Sequence, residues 1–466
     1  MSLRNSPKGL PRFDWVLFIT YLALVGIGLM MIFATTYYDI EGGNIFSPNS
    51  TFGRQAIWAA ISLVALLALV LIDWQIFNSL AIPIYALGII SLVLVLLFGR
   101  EIKGATSWIA IGPFSIQPSE FAKLTTAIYL AGFLSVIRND LRKRWTQLVS
   151  VGIFLLPAAL IMLQPDAGSA ITFFSLLILL YRKGLPSLYF IVVILLFLTV
   201  VFTLIYGISV ALTILFLMMA AFLVDFSKMR MFSIMLLTTL ILVSLVCFQF
   251  EWSLYSAILN GVATIGVLYF FNPRQSIGTK FSLLGGVAML VLISFSSLFA
   301  FNNVLKPHQQ DRINVWLQPE KCDPRGSLYN LLQSKLAIGS GGLTGKGYLD
   351  GTFTKLNYVP EQTTDFIFST IGEEQGFIGG VAVIILFLLL IVRIIQKGEH
   401  SKYPFVKNYS YAIAGFIFLH FFVNIGMTMG ISPVIGIPLP FISKGGSSLL
   451  AFSMMIGIAL NMYKSR

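Results

Sequence analysis

The stretch from Leu185 to Val224, LPSLYFIVVILLFLTVVFTLIYGISVALTILFLMMAAFLV, holds 40 residues without one ionisable carboxylate, amine or guanidinium. As α-helix it would run roughly 60 Å at 1.5 Å per residue, twice the hydrocarbon thickness of a bilayer. It therefore reads as two crossings, with the turn at Tyr206-Gly207-Ile208-Ser209. The whole chain agrees with that reading. Of its 466 residues, 57% are hydrophobic and 11% are charged, against about 25% charge in soluble domains.

Several function classes drop out at this level. The net charge of +12 invites a nucleic-acid partner. Yet the Lys and Arg residues sit in short loops between apolar runs rather than interleaved with aromatics on a soluble face, so no nucleic acid is expected. The two cysteines, Cys247 in an apolar run and Cys322 in a polar loop, outline no disulfide framework. Arg4, Lys8 and Arg12 precede an apolar run, Trp15 to Ala34, that is too long for a signal-peptide core and reads as a retained first helix.

Apolar blocks fall near residues 15–35, 55–73, 78–98, 117–137, 147–163, 168–182, 186–206, 208–224, 231–249, 253–271, 281–301, 365–392, 409–430 and 441–462. Fourteen is even, which puts both termini on one side. One set of loops carries RNDLRKR (138–144), Arg182-Lys183, Lys228/Arg230, Arg274/Lys280 and Arg393/Lys397/Lys402/Lys407, and the tail adds Lys464 and Arg466. The opposite short loops hold Arg54, Arg100 and Lys103 against Asp39, Glu41 and Glu101. By the positive-inside rule the basic set is cytoplasmic. The expected fold is an all-α polytopic membrane protein of about fourteen transmembrane helices, N-in and C-in, with one large outer loop at 302–364.

That loop contains GSGGLTGKG (339–347), which nearly spells a phosphate-binding loop. Ser340 stands where the first Gly should be, Gly347 replaces the metal-binding Ser/Thr, and the segment faces away from ATP, so the reading is rejected. Carboxylates at bilayer depth are more informative, because ionised groups there are costly and by default functional. Asp365, Glu373 and Glu374 open the block that follows the loop. Asp365 reads equally as a helix cap and as a catalyst, with Glu361 one turn before it. Glu120 and Lys123, three residues apart, share a helix face and form either a neutralising pair or a poised cation. Asp166 reads as a helix cap or turn residue, or as a partner of Lys123 across helices. The segment GISPVIGIPLPFISKGGSS (430–448) cannot be regular helix, and it carries Lys444. Trp108 is expected at the outer interface. His308, His400 and His420 are scattered, so neither a zinc constellation nor a Ser-His-Asp triad is outlined.

Five ordered blocks carry a resemblance: GATSWIAIGPFSIQPSEFAKL, QPDAGSA, LLQSKLAIGSGGLTGKG, VPEQTTDFIFSTIGEEQGFIGG and NIGMTMGISPVIGIPLPFISKGGSS. Together the chain resembles the SEDS family (shape, elongation, division, sporulation) of peptidoglycan polymerases, and the QSKLAIGSGG wording is nearer its elongation branch than its division branch. Family members typically have ten spans, so the resemblance implies about four inserted helices. The implied division is 1–185 for the N-terminal core helices, 186–301 including the insertion, 302–364 for the outer loop and 365–466 for the C-terminal core helices.

The resemblance also implies a function. A member of this family polymerises lipid II, a disaccharide-peptide on a polyprenyl diphosphate, into glycan strands for cell elongation and rod shape. It acts in the bacterial inner membrane beside a class B penicillin-binding protein. Asp365 matches the family's essential aspartate, as general base or as ligand of a divalent cation such as Mg2+ or Mn2+. Trp108, Glu120, Lys123, Asp166, Lys335, Glu361 and Lys444 are the implied substrate-binding residues. Asn357, Thr363 and Lys444 depart from the Glu, His and Tyr often found there. Two alternatives compete: a lipid II flippase, using Glu120, Lys123 and Asp166 as a head-group path, and a scaffold in which Asp365 is dispensable. No inverted repeat of the transporter kind is evident in the sequence.

Overall fold

A computed structural model of the chain describes residues 13–37, 46–48, 50–102, 105–111, 114–136, 139–224, 230–266, 277–323 and 326–464. Arg4, Lys8, Arg12, Asp39, Glu41, Lys103, Arg138, Lys228, Arg274 and Arg466, which entered the charge pattern, lie outside the described residues.

Helix α1 (Trp15–Thr36) begins where Asp14 caps it, its carboxylate accepting the Leu17 amide at 3.2 Å. Ser50 caps α2 (Thr51–Leu71) in the same way. There follow α3 (Trp74–Ser79), α4 (Ala81–Phe98), and a three-stranded antiparallel sheet of β1 (Arg100–Ile102), β2 (Ala105–Ile111) and β3 (Phe114–Ile116). Next come α5 (Pro118–Phe133), α6 (Arg144–Met162), α7 (Ala167–Thr172) and α8 (Leu176–Arg182). The long α9 (Ser187–Val224) breaks at Gly207 (φ 80°, ψ 170°), inside the turn read from the sequence. Helices α10 (Arg230–Gln249), α11 (Ser253–Gly266) and α12 (Ile277–Asn303) complete the middle of the chain. Nine helices among the described residues are long and apolar enough to cross a membrane, and Ala167–Arg182 and Ile234–Gln249 are shorter apolar ones. The protein is thus an all-helical, multi-pass membrane protein.

The segment 302–364, read as a loop without obvious fold, is largely helical. It holds α13 (Pro307–Leu317), α14 (Ser327–Ser340) and the single turn α15 (Thr352–Lys355). Helices α16 (Ile367–Glu399), α17 (Pro404–Met429) and α18 (Gly446–Lys464) close the chain. Two units result. One comprises 187–322, in which α9 packs on α10, α11 and α12. Its seam is polar: Asn260 donates to Ser244 Oγ at 2.8 Å, and Ser209 meets Ser253 at 2.8 Å. Such pairs hold apolar helices together where water cannot. The other unit comprises 1–186 and 323–466 and carries every candidate site residue. There α17 and α18 form the centre, with 78% of their apolar windows buried against 22% for α2 and α4 at the periphery.

The glycine-rich stretch 339–347 has a structural task. Helix α16 breaks at Gly376 (φ 63°, ψ −162°), a conformation open to glycine. The chain at 342–347 splices into the gap. Phe377 N donates to Gly342 O at 2.9 Å and Ile378 N to Leu343 O at 3.1 Å, while Lys346 N and Gly347 N donate to Glu373 O and Glu374 O, each at 3.1 Å. A Cβ on Gly345 would run into Glu374 O, and one on Gly376 into Gly345 N. Four backbone groups freed by the helix break are thereby satisfied, which irregular backbone at membrane depth requires.

Candidate active site at one end of the core unit

The carboxylates of α16 separate into different tasks. Glu373, fully buried, accepts from Lys346 Nζ (2.8 Å), Phe353 N (2.8 Å), Thr354 N (2.9 Å) and Thr354 Oγ1 (2.8 Å). It caps α15 and pins the outer segment to α16. Glu374 is equally buried, against the turn that includes Leu349. Asp365 is neither cap nor first-turn residue: α16 starts at Ile367, its N-cap is Phe366, and no side chain caps it.

What fixes Asp365 is its backbone. Asn424 Nδ2 on α17 donates to Asp365 O at 2.9 Å and to Ile437 O at 2.7 Å, using both of its hydrogens. Ser443 Oγ donates to Thr364 O at 2.6 Å, and Lys444 N to Thr363 O at 2.9 Å. Three consecutive carbonyls, 363 to 365, are therefore clamped by the irregular segment 437–444 and by α17. Gln362 Nε2 extends the clamp to the Thr354 carbonyl of α15 at 3.1 Å. Asp365 itself is half-buried, held at the end of α16 opposite Arg393 and Lys397.

The second cluster lies behind this loop. Lys123, fully buried on α5, donates to Glu120 Oε1 at 2.9 Å and meets His420 Nε2 of α17 at 2.8 Å. His420 Nδ1 faces Pro438 O at 3.1 Å, so Nδ1 carries the proton and Nε2 accepts from the ammonium. The Phe452 ring of α18 covers Lys123 at 5.0 Å. Glu120 Oε2 is buried without a hydrogen-bond partner among the described residues. Pro438 adjoins Ile437, the residue that Asn424 ties to Asp365, so one run of polar contacts joins the Lys123 cluster to the Asp365 loop.

Of the two readings of Asp166, the structure makes the local cap and not the pair with Lys123. Asp166 Oδ2 accepts from Gln117 Nε2 at 2.8 Å and from Ser169 Oγ at 2.8 Å, and Oδ1 accepts the Ser169 amide at 3.0 Å, capping α7. His420 is the cross-helix partner of Lys123. Asp166 still belongs to the neighbourhood, since Gly168 packs on the Ile435 carbonyl at the start of the irregular segment. Trp108 lies half-buried on β2, opposite Arg100, and β2 hydrogen-bonds to the Asp166 turn through Thr106 N and Gln164 O at 3.2 Å. Lys335 crosses over Gly430 at the end of α17. Glu361 is exposed, and its carboxylate accepts from Thr364 Oγ1 at 2.9 Å. Lys444 reaches Thr51 of α2 at 3.5 Å, tying the loop to a further helix.

His420 and Asn424 are the residues that sequence reading missed. Their signal was a pair of polar side chains four apart on one face of an otherwise apolar helix, the i,i+4 relation that places both on the same partner.

The sequence profile of the FTSW_RODA_SPOVE cell cycle proteins matches residues 14–213 and 209–466. The chain belongs to that family. Its relatives include the peptidoglycan glycosyltransferase RodA of Treponema pallidum (strain Nichols), 34% identical over 458 residues that cover 98% of each chain. The peptidoglycan glycosyltransferase MrdB of Escherichia coli (strain K12) is 28% identical over 467 residues, covering 100% of this chain and 98% of that one. Among solved structures, a peptidoglycan synthase complex that coordinates polymerization and crosslinking contains a chain of the same fold, with TM-score 0.64, 23% identity and 97% of both chains covered. The family member described here is thus most like RodA.

Proposed function

We propose that the protein is a peptidoglycan glycosyltransferase that polymerises lipid II into glycan strands for cell elongation, with Asp365 as the group that takes the proton. The observation that carries this reading is the clamp on carbonyls 363–365, which fixes the backbone that bears the Asp365 carboxylate while that carboxylate is not the cap of α16. Preorganisation of this kind is what a general base needs.

Topology supports the reading. Arg393 and Lys397 on Asp14, Arg182 and Lys407 on Glu399, and Lys464 over Phe13 gather at the end of the core unit away from Asp365. By the positive-inside rule we take that end as cytoplasmic and Asp365 as lying at the extracytoplasmic face of the inner membrane, where it would meet lipid-held sugars. We assign N-in, C-in topology on this basis.

In the reaction, the acceptor sugar's 4-hydroxyl oxygen bonds to the donor's anomeric carbon as the bond from that carbon to the lipid diphosphate breaks. The hydroxyl proton passes to Asp365 and the bonding pair leaves with the diphosphate. Diphosphate is a good leaving group, so the site needs cations more than a strong acid. Lys335 and Lys444 flank the Asp365 loop and serve that charge, while Lys123 holds the loop's underside through His420. Trp108, Asp166 and Glu361 border the donor and acceptor sugars. Among the described residues no three acidic, histidine or cysteine side chains converge as a metal cage. In the alternative role for Asp365, as a metal ligand rather than the base, it would hold a divalent ion, Mg2+ or Mn2+, together with diphosphate oxygens, and the ion would supply charge for the leaving group. We assign a class B penicillin-binding protein as the cross-linking partner.

The test is polymerisation of lipid II by the purified chain, with and without that partner, comparing wild type with Asp365→Asn. Glycan ladders from wild type and none from a folded variant support the assignment. Ladders of equal length from both would remove Asp365 as the base.

A further inference from the structure

The basic end of the core unit holds a second built feature. The end of α8, the end of α16 and the first turns of α17 enclose a cavity of about 210 Å³ lined by Arg182, Lys183, Glu399, Lys407, Asn408 and Tyr411 among others. None of these side chains takes part in the Asp365 or Lys123 clusters. Three cations face one carboxylate, and that carboxylate is already committed. Glu399 Oε1 accepts from Arg182 Nη2 at 2.8 Å and from Tyr411 OH at 2.6 Å, and Oε2 pairs with Lys407 at 3.2 Å. Lys183 is half-buried, and among the described residues its ammonium makes no hydrogen bond or ion pair. Burial, then Lys407, then Arg182 lower its pKa, with Glu399 only partly offsetting them. The cavity is short of negative charge.

What leads into it is apolar. Ile171, Phe174, Ile178 and Tyr181 are exposed, at 36%, 41%, 41% and 56%, and they recur every three to four residues along α7, the 3-10 turn Phe173–Ser175 and α8, up to Arg182-Lys183. They form one apolar stripe, and it ends at the cationic cavity. Soluble phosphate has no use for such a stripe, whereas acyl chains do. Basic pockets between helices at a cytoplasmic membrane face are suited to anionic head groups. We infer that this cavity is a binding site for the phosphate of an anionic phospholipid, whose acyl chains lie along the Ile171–Tyr181 stripe. Lys183 is its free cation, and Glu399 holds Arg182 and Lys407 in place as its walls.

The experiment titrates the purified full chain in detergent with short-chain phosphatidylglycerol bearing a fluorophore on one acyl chain, read by anisotropy. Unlabelled phosphatidylglycerol, phosphatidylcholine and inorganic phosphate compete in separate arms. Phosphatidylglycerol displaces the probe and phosphatidylcholine does so at least tenfold less well. Lys183→Gln weakens binding about fivefold, the worth of one cation near an anionic lipid surface. Lys464→Gln, which removes the same charge at the same end outside the cavity, leaves affinity within twofold. Equal competition by phosphatidylcholine, or equal loss from both lysine variants, overturns the site. Full displacement by millimolar inorganic phosphate overturns the lipid assignment and makes the ligand a soluble phosphate.

Discussion

Glu373→Gln tests how the outer segment is held, and the structure sets the size of the effect. The buried carboxylate accepts four hydrogen bonds, two on each oxygen. Glutamine keeps one acceptor oxygen and turns an NH2 group toward donors. Thr354 Oγ1 can rotate and accept, but a backbone N–H cannot. At least one of Phe353 N and Thr354 N is stranded, which costs about 1–3 kcal/mol. Lys346, whose side chain is 27% exposed, loses its ionic partner for about 1 kcal/mol after solvent screening. The sum, about 2–4 kcal/mol, raises the local opening constant roughly 30- to 1,000-fold. Hydrogen exchange followed by mass spectrometry reads this directly. Peptides covering 346–358 lose protection by that factor, while peptides from α17 do not change. Because Gln362 carries the connection from α15 to the Asp365 loop, lipid II turnover falls with it. Unchanged exchange over 346–358 in a folded variant would refute the claim that Glu373 pins this segment.

The remaining expectations concern other parts of the core unit. Asn424→Ala frees the Asp365 carbonyl, and displacement of that carboxylate by about 1 Å lowers kcat by about 100-fold with little change in KM, as steady-state polymerisation will show. His420→Phe leaves Lys123 with Glu120 alone and strands one donor, costing about 1–3 kcal/mol; a denaturant titration that moved by less than experimental error would count against the His420 contact. Burial pushes the Asp14 carboxyl up, but hydrogen bonds from Arg393, the Leu17 amide and Lys397 outweigh it and hold its pKa below the ordinary 3.8. Its folded pKa is depressed, so its stabilisation is complete above the unfolded value and is lost as pH falls through the lower folded one. Asp14→Asn therefore destabilises by about 2–3 kcal/mol at neutral pH, and the gap to wild type closes below about pH 4 in thermal unfolding. Gly376→Ala meets the Gly345 backbone in a conformation alanine avoids, and the variant loses about 3 kcal/mol or more, visible as a drop in Tm or in the yield of folded protein.

Sequence alone settled what the solvent of this chain is. Forty uncharged residues at 185–224 have no stable place but lipid, and the break at Gly207 fell where the turn residues put it. Local spacing also paired Glu120 with Lys123, because three residues of helix place them on one face whatever else the fold does. The family followed from five blocks whose order survives the intervening chain. Tertiary structure decided matters that depend on partners distant in sequence. His420 reaches Lys123 across 297 positions and Asn424 reaches Asp365 across 59, and nothing in the local pattern ranks those contacts above a Lys123–Asp166 pair, which the sequence left open. The stretch 339–347 nearly spells a phosphate-binding loop, a reading its own residues rejected, and its backbone groups at Gly342, Leu343, Lys346 and Gly347 are the acceptors and donors that repair a broken helix. A glycine-rich turn exposes the same backbone groups in both cases. Which partner satisfies them is fixed only when the chain brings one within hydrogen-bonding distance.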